Sequence, residues 1–456
     1  MISPGTSAVQ LEDTIVALAS APGRGAIALV RLSGRDAFPI AATILRASPQ
    51  EPRIAHLCDL FDGEEKLDQA LVTLFPSPNS FTGDDTVEFS IHGGNLVSSS
   101  VVAALISSGA RQATPGEFTR RAVLNGKLDI LQAEAIGDLI DASSHIMQRT
   151  ALSQLDGGLS RRLLKLRSDL IGLEALIAYD VDFPEEDDGP VPRKKIDQSA
   201  EEVAGALQAL ISTGPAGEVI REGAIVVIAG PTNAGKSSLF NALLGRARAI
   251  VTEIPGTTRD ALEAVIDSGK WPLRLVDTAG LRETEDRIER LGIEVSQRYL
   301  SNAAVVLACG EDSRSLEETV GVVSRVSRAP VVLVRTKTDL VSTRDERQTP
   351  GVIPVSAETG AGLQGLLRAI NETLDARHGE IVPDLPILTR ARHRKALEIA
   401  LSELEEFRSG WREEKLPATV IAVHLRTAVH ALEELIGAVE IEDVLDRVFS
   451  SFCVGK

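Results

Sequence analysis

The stretch Gly230-Pro231-Thr232-Asn233-Ala234-Gly235-Lys236-Ser237 constrains this chain more than any other. It fits the spacing G-x-x-x-x-G-K-[ST], in which a glycine-rich turn wraps a phosphate. Ahead of it, residues 224–229 form a short apolar run rich in β-branched side chains, the pattern of a buried strand. Behind it, residues 238–244 read as the first turns of a helix. Strand, glycine turn and helix are the context the spacing needs. Gly230 and Gly235 keep a Cβ out of the phosphate's way. The loop amides and the helix N-terminus then face the anion. Lys236 is expected to reach the β- and γ-phosphates and Ser237 to bind Mg²⁺ through its hydroxyl. Asn233, Ala234 and Ser238 complete the expected phosphate-binding set.

Three further stretches bear on the nucleotide. Residues 273–276 read as a strand leading into Asp277-Thr278-Ala279-Gly280, a D-x-x-G turn. There the Asp can hold Mg²⁺ through water and the Gly amide can sense the γ-phosphate. Residues 330–335 read as another strand, followed by Thr336-Lys337-Thr338-Asp339, similar to the guanine-reading N-K-x-D. A carboxylate at Asp339 can accept from guanine N1–H and the N2 amine, and adenine offers neither donor there. Residues 352–355 lead to Ser356-Ala357-Glu358-Thr359-Gly360, similar to the loop that backs the base. Each turn taken singly is an ordinary polar turn after a strand. Their order along the chain makes a GTPase domain the expectation. Thr336 stands where Asn is usual; it is shorter and lacks an amide, so weaker guanine binding is expected.

The length of 456 residues implies two or three domains. Cys58, Cys309 and Cys453 lie far apart with no C-x-x-C spacing, which fits a reducing compartment. No apolar run approaches a membrane span and no basic-then-apolar leader opens the chain, so a soluble cytoplasmic protein is expected. A net charge of −17 argues against broad, non-specific nucleic-acid binding. Arg161, Arg162, Lys165 and Arg167 form a local basic run that reads as a solvated helix face.

The fold class expected is α/β and α: an N-terminal α/β domain, a helical bundle, and a P-loop GTPase domain inserted in the bundle. Strands are expected near 13–18, 26–32, 69–75 and 86–92, and helices after Ser33-Gly34 and over 96–108, within a domain spanning 1–123. Helices follow at 117–124 and 128–142. Apolar residues from Leu152 to Ile177 recur at steps of three and four, the stripe of one long helix with a weak point at Gly157-Gly158. A further helix is expected from Ile196 to about Ser212. The helical domain's first part spans 124–215, the GTPase domain 216–378 and the helical domain's second part 379–456, with Pro215 and Pro383 near the junctions. Apolar stripes at Leu397 to Phe407, Ile421 to Leu435 and Ile441 to Val448 mark helices in that last part.

Several stretches together resemble the tRNA modification GTPase family MnmE, also called TrmE. They are Pro22-Gly23-Arg24-Gly25 with Arg31-Leu32-Ser33-Gly34, Phe81-Thr82-Gly83-Asp84-Asp85, His92-Gly93-Gly94, Pro115-Gly116-Glu117-Phe118, and Leu124-Asn125-Gly126-Lys127-Leu128-Asp129. Ile254-Pro255-Gly256-Thr257-Thr258-Arg259-Asp260 and the tail Phe452-Cys453-Val454-Gly455-Lys456 complete the likeness. The resemblance implies a homodimer through the N-terminal domain and a formyl-tetrahydrofolate site at Arg31, Glu88, Lys127 and Lys456. It implies a flavin-binding partner, MnmG, with which the family modifies C5 of the wobble uridine of certain tRNAs. Cys453 is a candidate nucleophile toward uridine C6, with a structural or folate-proximal role as the alternative.

For hydrolysis, the position after D-x-x-G is Leu281, so a Ras-like glutamine cannot orient the water there. The resemblance points to Glu289, with Glu283, Glu285 and Asp286 as solvated alternatives. It also implies K⁺ in place of an arginine finger, held by Asn233 with Thr252, Ile254 and Thr257. Thr258 would join Ser237 on Mg²⁺, and Glu253, Pro255 and Gly256 lie in the same nucleotide-binding stretch. Two classes stay open: a GTP-hydrolysing component of a tRNA-modifying complex, and a regulatory GTPase switch on RNA or ribosomes. The folate-like stretches and the Cys-containing tail favour the first.

Overall fold

The computed structural model describes residues 13–182, 192–246, 249–250, 262–277, 297–340, 350–379, 386–413, 417–437, 452 and 455. The chain forms two compact units, one of residues 1–137 with 433–456 and one of residues 138–432.

In the first unit, β1 (Ile15–Leu18), β2 (Ile27–Ser33), β3 (His56–Asp62), β4 (Glu65–Phe75), β5 (Thr86–His92) and β6 (Arg111–Gln112) make one sheet in the order β3-β4-β5-β2-β1-β6. The pairs are antiparallel except β1 with β6. Helices α1 (Ala37–Ile44) and α2 (Asn95–Ser107) bury the alternating apolar side chains of β2, β4 and β5. Val30, Leu32, Val72, Val87 and Phe89 are fully buried there. The next helices are α3 (Glu117–Leu124) and α4 (Ile130–Ile140). β3 and β6 add two strands to those read from sequence. β3 was hidden by Asp59 and Asp62 within its run, and β6 is too short for periodicity to register.

In the second unit, α5 (His145–Leu155) and α6 (Gly158–Asp182) replace the single long helix. The break falls at Gly157, whose φ of +77 lies in the left-handed region that favours glycine. Leu159, Leu163, Leu166, Leu170, Leu173 and Ile177 on α6 are fully buried, whereas Leu152 on α5 is exposed, so the stripe belongs to α6 alone. α6 packs against α7 (Arg193–Ile211), which packs against α12 (Ala391–Glu413). α13 (Ala418–Ile436) buries Ile421, Leu425, Ala428, Leu432 and Leu435. The expected stripe at 441–448 lies outside the described residues.

Between these helices runs a seven-stranded sheet in the order β13-β12-β11-β7-β10-β9-β8. It comprises β7 (Ala224–Ala229), β8 (Ala249–Ile250), β9 (Leu262–Asp267), β10 (Pro272–Asp277), β11 (Val305–Gly310), β12 (Val331–Arg335) and β13 (Val352–Pro354). β10, β7, β11, β12 and β13 are mutually parallel, and β8 and β9 add an antiparallel edge. Val226 and Ile228 face one core, which includes α9 (Lys236–Arg246) and α11 (Leu363–His378). Val227 and Ala229 face another, toward α10 (Ser313–Val326). Covering both faces is what lets β7 be an unbroken apolar run.

Candidate functional site

β7, β10, β12 and β13 end on the same edge because they are parallel, and a ligand site at that edge is the rule for open parallel sheets. The turn after β7 is the glycine loop. Gly230 cannot carry a side chain, since a Cβ would lie 2.5 Å from the Cys309 carbonyl oxygen. Asn233 (φ +67) and Gly235 (φ +74) are both left-handed, which turns the intervening amides toward one concavity. Lys236 opens α9, is buried, and donates from Nζ to the Pro231 carbonyl at 2.7 Å, across the loop. The Ser237 hydroxyl donates to Asp277 Oδ2 at 2.6 Å. Asp277, at the end of β10, is fully buried. Ser237 and Asp277, drawn from two separate motifs, are thus brought together.

The residues expected to read the base also meet. Ser356 donates from its hydroxyl to Asp339 Oδ1 at 2.7 Å and accepts the Thr359 amide at 3.1 Å, so the carboxylate is held in a chosen direction. Thr336 is buried and donates to the Ala234 carbonyl at 2.8 Å, joining the base turn to the phosphate loop. Lys337 (φ +56) pairs with Glu311 at 2.6 Å, while its stem lies 3.9 Å from where a Gly235 Cβ would be. A cleft of about 450 Å³ opens between Gly235, Ser238, Thr336, Lys337, Asp339 and Ala357. Thr338 sits in the short turn Thr338–Leu340 beside it. Cys309 is buried under the loop, and burial pushes its thiol up to about 12, so it packs and does not react. Thr252, Glu253, Ile254, Pro255, Gly256, Thr257, Thr258, Thr278, Ala279, Gly280 and Glu289 lie outside the described residues.

The second group of expected residues lies in the first unit. Arg31 on β2 stands opposite Glu88 on β5 in the sheet register and pairs with it at 2.7 Å. Its guanidinium lies 5.4 Å from the Phe81 ring centre and 5.7 Å from that of Phe118. Lys127 donates to the Pro78 carbonyl at 2.9 Å, on the loop that also carries Phe81. Asn125 donates to the Thr82 carbonyl of that loop at 2.7 Å. Gly455 of the tail is left-handed, and a Cβ there would lie 2.2 Å from the Leu18 carbonyl oxygen. Phe452 packs on Gly137. Cys453 and Lys456 lie outside the described residues.

Sequence reasoning missed Glu311, the Ser356–Asp339 bond and the place of Phe118 beside Arg31. An aromatic within P-G-E-F and an acid two residues past the apolar run 303–309 were the available signals. Among the described residues, no helix is long and apolar enough to cross a membrane.

A family model described as the MnmE helical domain matches residues 130–453, and one described as the N-terminus of the GTP-binding protein TrmE matches residues 14–127. The tRNA modification GTPase MnmE of Heliobacterium modesticaldum is 41% identical, over 97% of this chain and 99% of its own. That of Aquifex aeolicus is 37% identical over 98% and 100%, and that of Methylobacterium radiotolerans 43% over 97% and 99%. Among solved structures, the G domain of the T. maritima FeoB iron transporter aligns with 33% of this chain and 98% of its own, at 26% identity and a TM-score of 0.26. With relatives this similar over nearly their whole length, and with the nucleotide motifs assembled on one sheet edge, the chain belongs to the MnmE family of tRNA modification GTPases.

Proposed function

We propose that this chain hydrolyses GTP as part of the machinery that modifies tRNA. The observation that carries the reading is the convergence of Lys236, Ser237, Asp277 and the Ser356-oriented Asp339 on one edge of the parallel sheet. The loop amides and Lys236 hold the β- and γ-phosphates, and Asp339 accepts from the Watson–Crick edge of guanine. The Ser237 hydroxyl and the Asp277 carboxylate are hard oxygen donors 2.6 Å apart, the donor chemistry that suits Mg²⁺. Bound there with Thr258, Mg²⁺ supplies charge neutralisation at the phosphate oxygens. Glu289 orients the attacking water in place of the glutamine that Leu281 displaces.

K⁺ is proposed beside the phosphates, on Asn233, Thr252, Ile254 and Thr257. Asn233 is exposed at the loop crest and offers a carboxamide oxygen. In the first unit, Arg31, Glu88, Lys127 and Lys456 are proposed to hold a formyl-tetrahydrofolate, with basic groups toward carboxylates and Glu88 toward pterin N–H groups. A homodimer, a flavoprotein partner of the MnmG kind, action on C5 of the wobble uridine, a role for Cys453 and a cytoplasmic setting complete the proposal. Support for these comes from the likeness over the whole chain.

The test is steady-state GTP hydrolysis in KCl and in NaCl at equal ionic strength, for wild type and Asn233→Ala. The expected outcome is a rate at least about tenfold faster in K⁺, lost in the variant. Equal rates in the two salts would overturn the cation mechanism while leaving GTP hydrolysis itself standing.

A further inference from the structure

We infer that Thr336 is a positioning residue for the phosphates rather than a reader of the base, and that it acts through the Ala234–Gly235 peptide. The inference rests on the GTP reading of the site.

Thr336 follows β12 and opens the base-reading turn. Its amide donates to the Gly310 carbonyl at 3.0 Å. Its hydroxyl donates to the Ala234 carbonyl at 2.8 Å, with Gly310 O more distant at 3.4 Å. The residue is only 4% exposed. A hydroxyl carries a single proton, and here a main-chain carbonyl takes it. None remains for an acceptor on a base in the adjoining cleft.

The peptide between Ala234 and Gly235 is trans and planar. Its N–H therefore leaves the opposite edge from its C=O. Pinning the carbonyl toward Thr336 fixes the direction of the Gly235 amide, one of the donors aligned in the anion cradle. Gly235 has no side chain to hold that plane, and a glycine, which takes positive or negative φ alike, leaves the peptide to be held by the Thr336 tie. A Cβ built on Gly235 would sit 3.6 Å from Thr336 Cβ, so the two backbones approach closely enough for a side chain as short as Thr to make the tie.

The amide held this way directly precedes Lys236, which the GTP reading sets against the β- and γ-phosphates, so we assign it to the β-phosphate. Its loss is felt by a nucleoside diphosphate and spared by a monophosphate. The experiment is displacement of a fluorescent GDP analogue from the full-length protein by GDP and by GMP, for wild type, Thr336→Val and Thr336→Ser. Val keeps the shape and removes the proton. The expected result is about tenfold weaker GDP binding in Thr336→Val, with GMP changed by less than about twofold. Thr336→Ser, which keeps the donor, is expected to bind GDP within about twofold of wild type. Equal losses for GDP and GMP would assign Thr336 to the base and overturn the inference. So would unchanged GDP binding by a Val variant with a wild-type melting curve. If Thr336→Val does not fold, a tenfold loss in Thr336→Ser overturns it instead, and wild-type affinity there supports it. A wild-type chain that binds neither nucleotide would overturn the GTP reading and this inference with it.

Discussion

In the proposed guanine site, the Asp339 carboxylate owes its direction to the side chain of Ser356. With one proton given to Asp339 and a lone pair given to the Thr359 amide, it holds the carboxylate toward the cleft. Ser356→Ala leaves both partners short of a bond. The expected outcome is a GTP KM raised about tenfold with kcat changed much less, because binding is lost equally in ground and transition states. Steady-state kinetics would check it, and a fall confined to kcat would contradict it. In the first unit, buried Glu117 and Arg121 join Asp13 and Arg111 in one charged cluster. Burial pushes the Glu117 carboxyl up, but hydrogen bonds from Arg111, Thr114 and Arg121 outweigh it and hold the group below its ordinary 4.5. Asp13, balanced the same way by Arg111 and Arg121, lies below 3.8. Depressed carboxyl values stabilise the fold above the ordinary values, and that stabilisation is lost as pH falls through the depressed ones. Urea midpoints of wild type and Glu117→Gln should therefore be separate above about pH 5 and draw together as pH falls through the depressed carboxyl value. A gap independent of pH would count against the cluster. The motif residues were legible because phosphate binding dictates their spacing along a single turn. The Thr336–Ala234 bond and the Asp13–Arg121 pair were not, because their partners stand 102 and 108 residues apart.

Among elements, the fully buried strands and the evenly striped helices could be read, and the punctuated ones could not. β7 announced itself through an apolar run set against a glycine turn. β11 is buried at all six positions and still escaped notice, although Gly310-Glu311-Asp312-Ser313 closes it with a turn signature. α8 (Gly214–Glu222) was missed because Gly214-Pro215 reads as a linker, although proline suits the first turn of a helix. The α5–α6 break shows the limit of periodicity. Leucines at steps of three and four continue across Gly157, and the left-handed residue still ends the first helix. The stripe on α6 is true core. Leu166→Ala, at a position 1% exposed, is expected to cost about 2–5 kcal/mol, measured from denaturant unfolding of the full chain. Leu152→Ala, exposed on α5, should fall within about 0.5 kcal/mol of wild type.

At the scale of the molecule, the second unit is tied where the chain enters and leaves its sheet. Asp138 accepts from Arg221 at 3.1 Å, just ahead of β7, and from Arg390 at 2.8 Å, just ahead of α12. Gln154 donates to the Ile387 carbonyl at 3.1 Å, and Arg394 pairs with Glu218 at 2.9 Å. Asp138→Ala removes the carboxylate that Arg221 and Arg390 share and is expected to lower the stability of this unit by about 1–3 kcal/mol, read from its thermal transition. No change would show that the packing of α8 suffices without it. The two crossings touch directly: a Cβ on Gly217 would sit 2.0 Å from the Leu388 carbonyl oxygen. An inserted domain whose own folded termini lie close together adds little closure entropy to its host, since the cost grows only slowly with the length inserted. The nucleotide-binding sheet is thus a cassette between adjacent sockets. A foreign domain with similarly close termini could be grafted there, or a short glycine bridge substituted, and the surrounding helices would be asked to change nothing in their own connectivity.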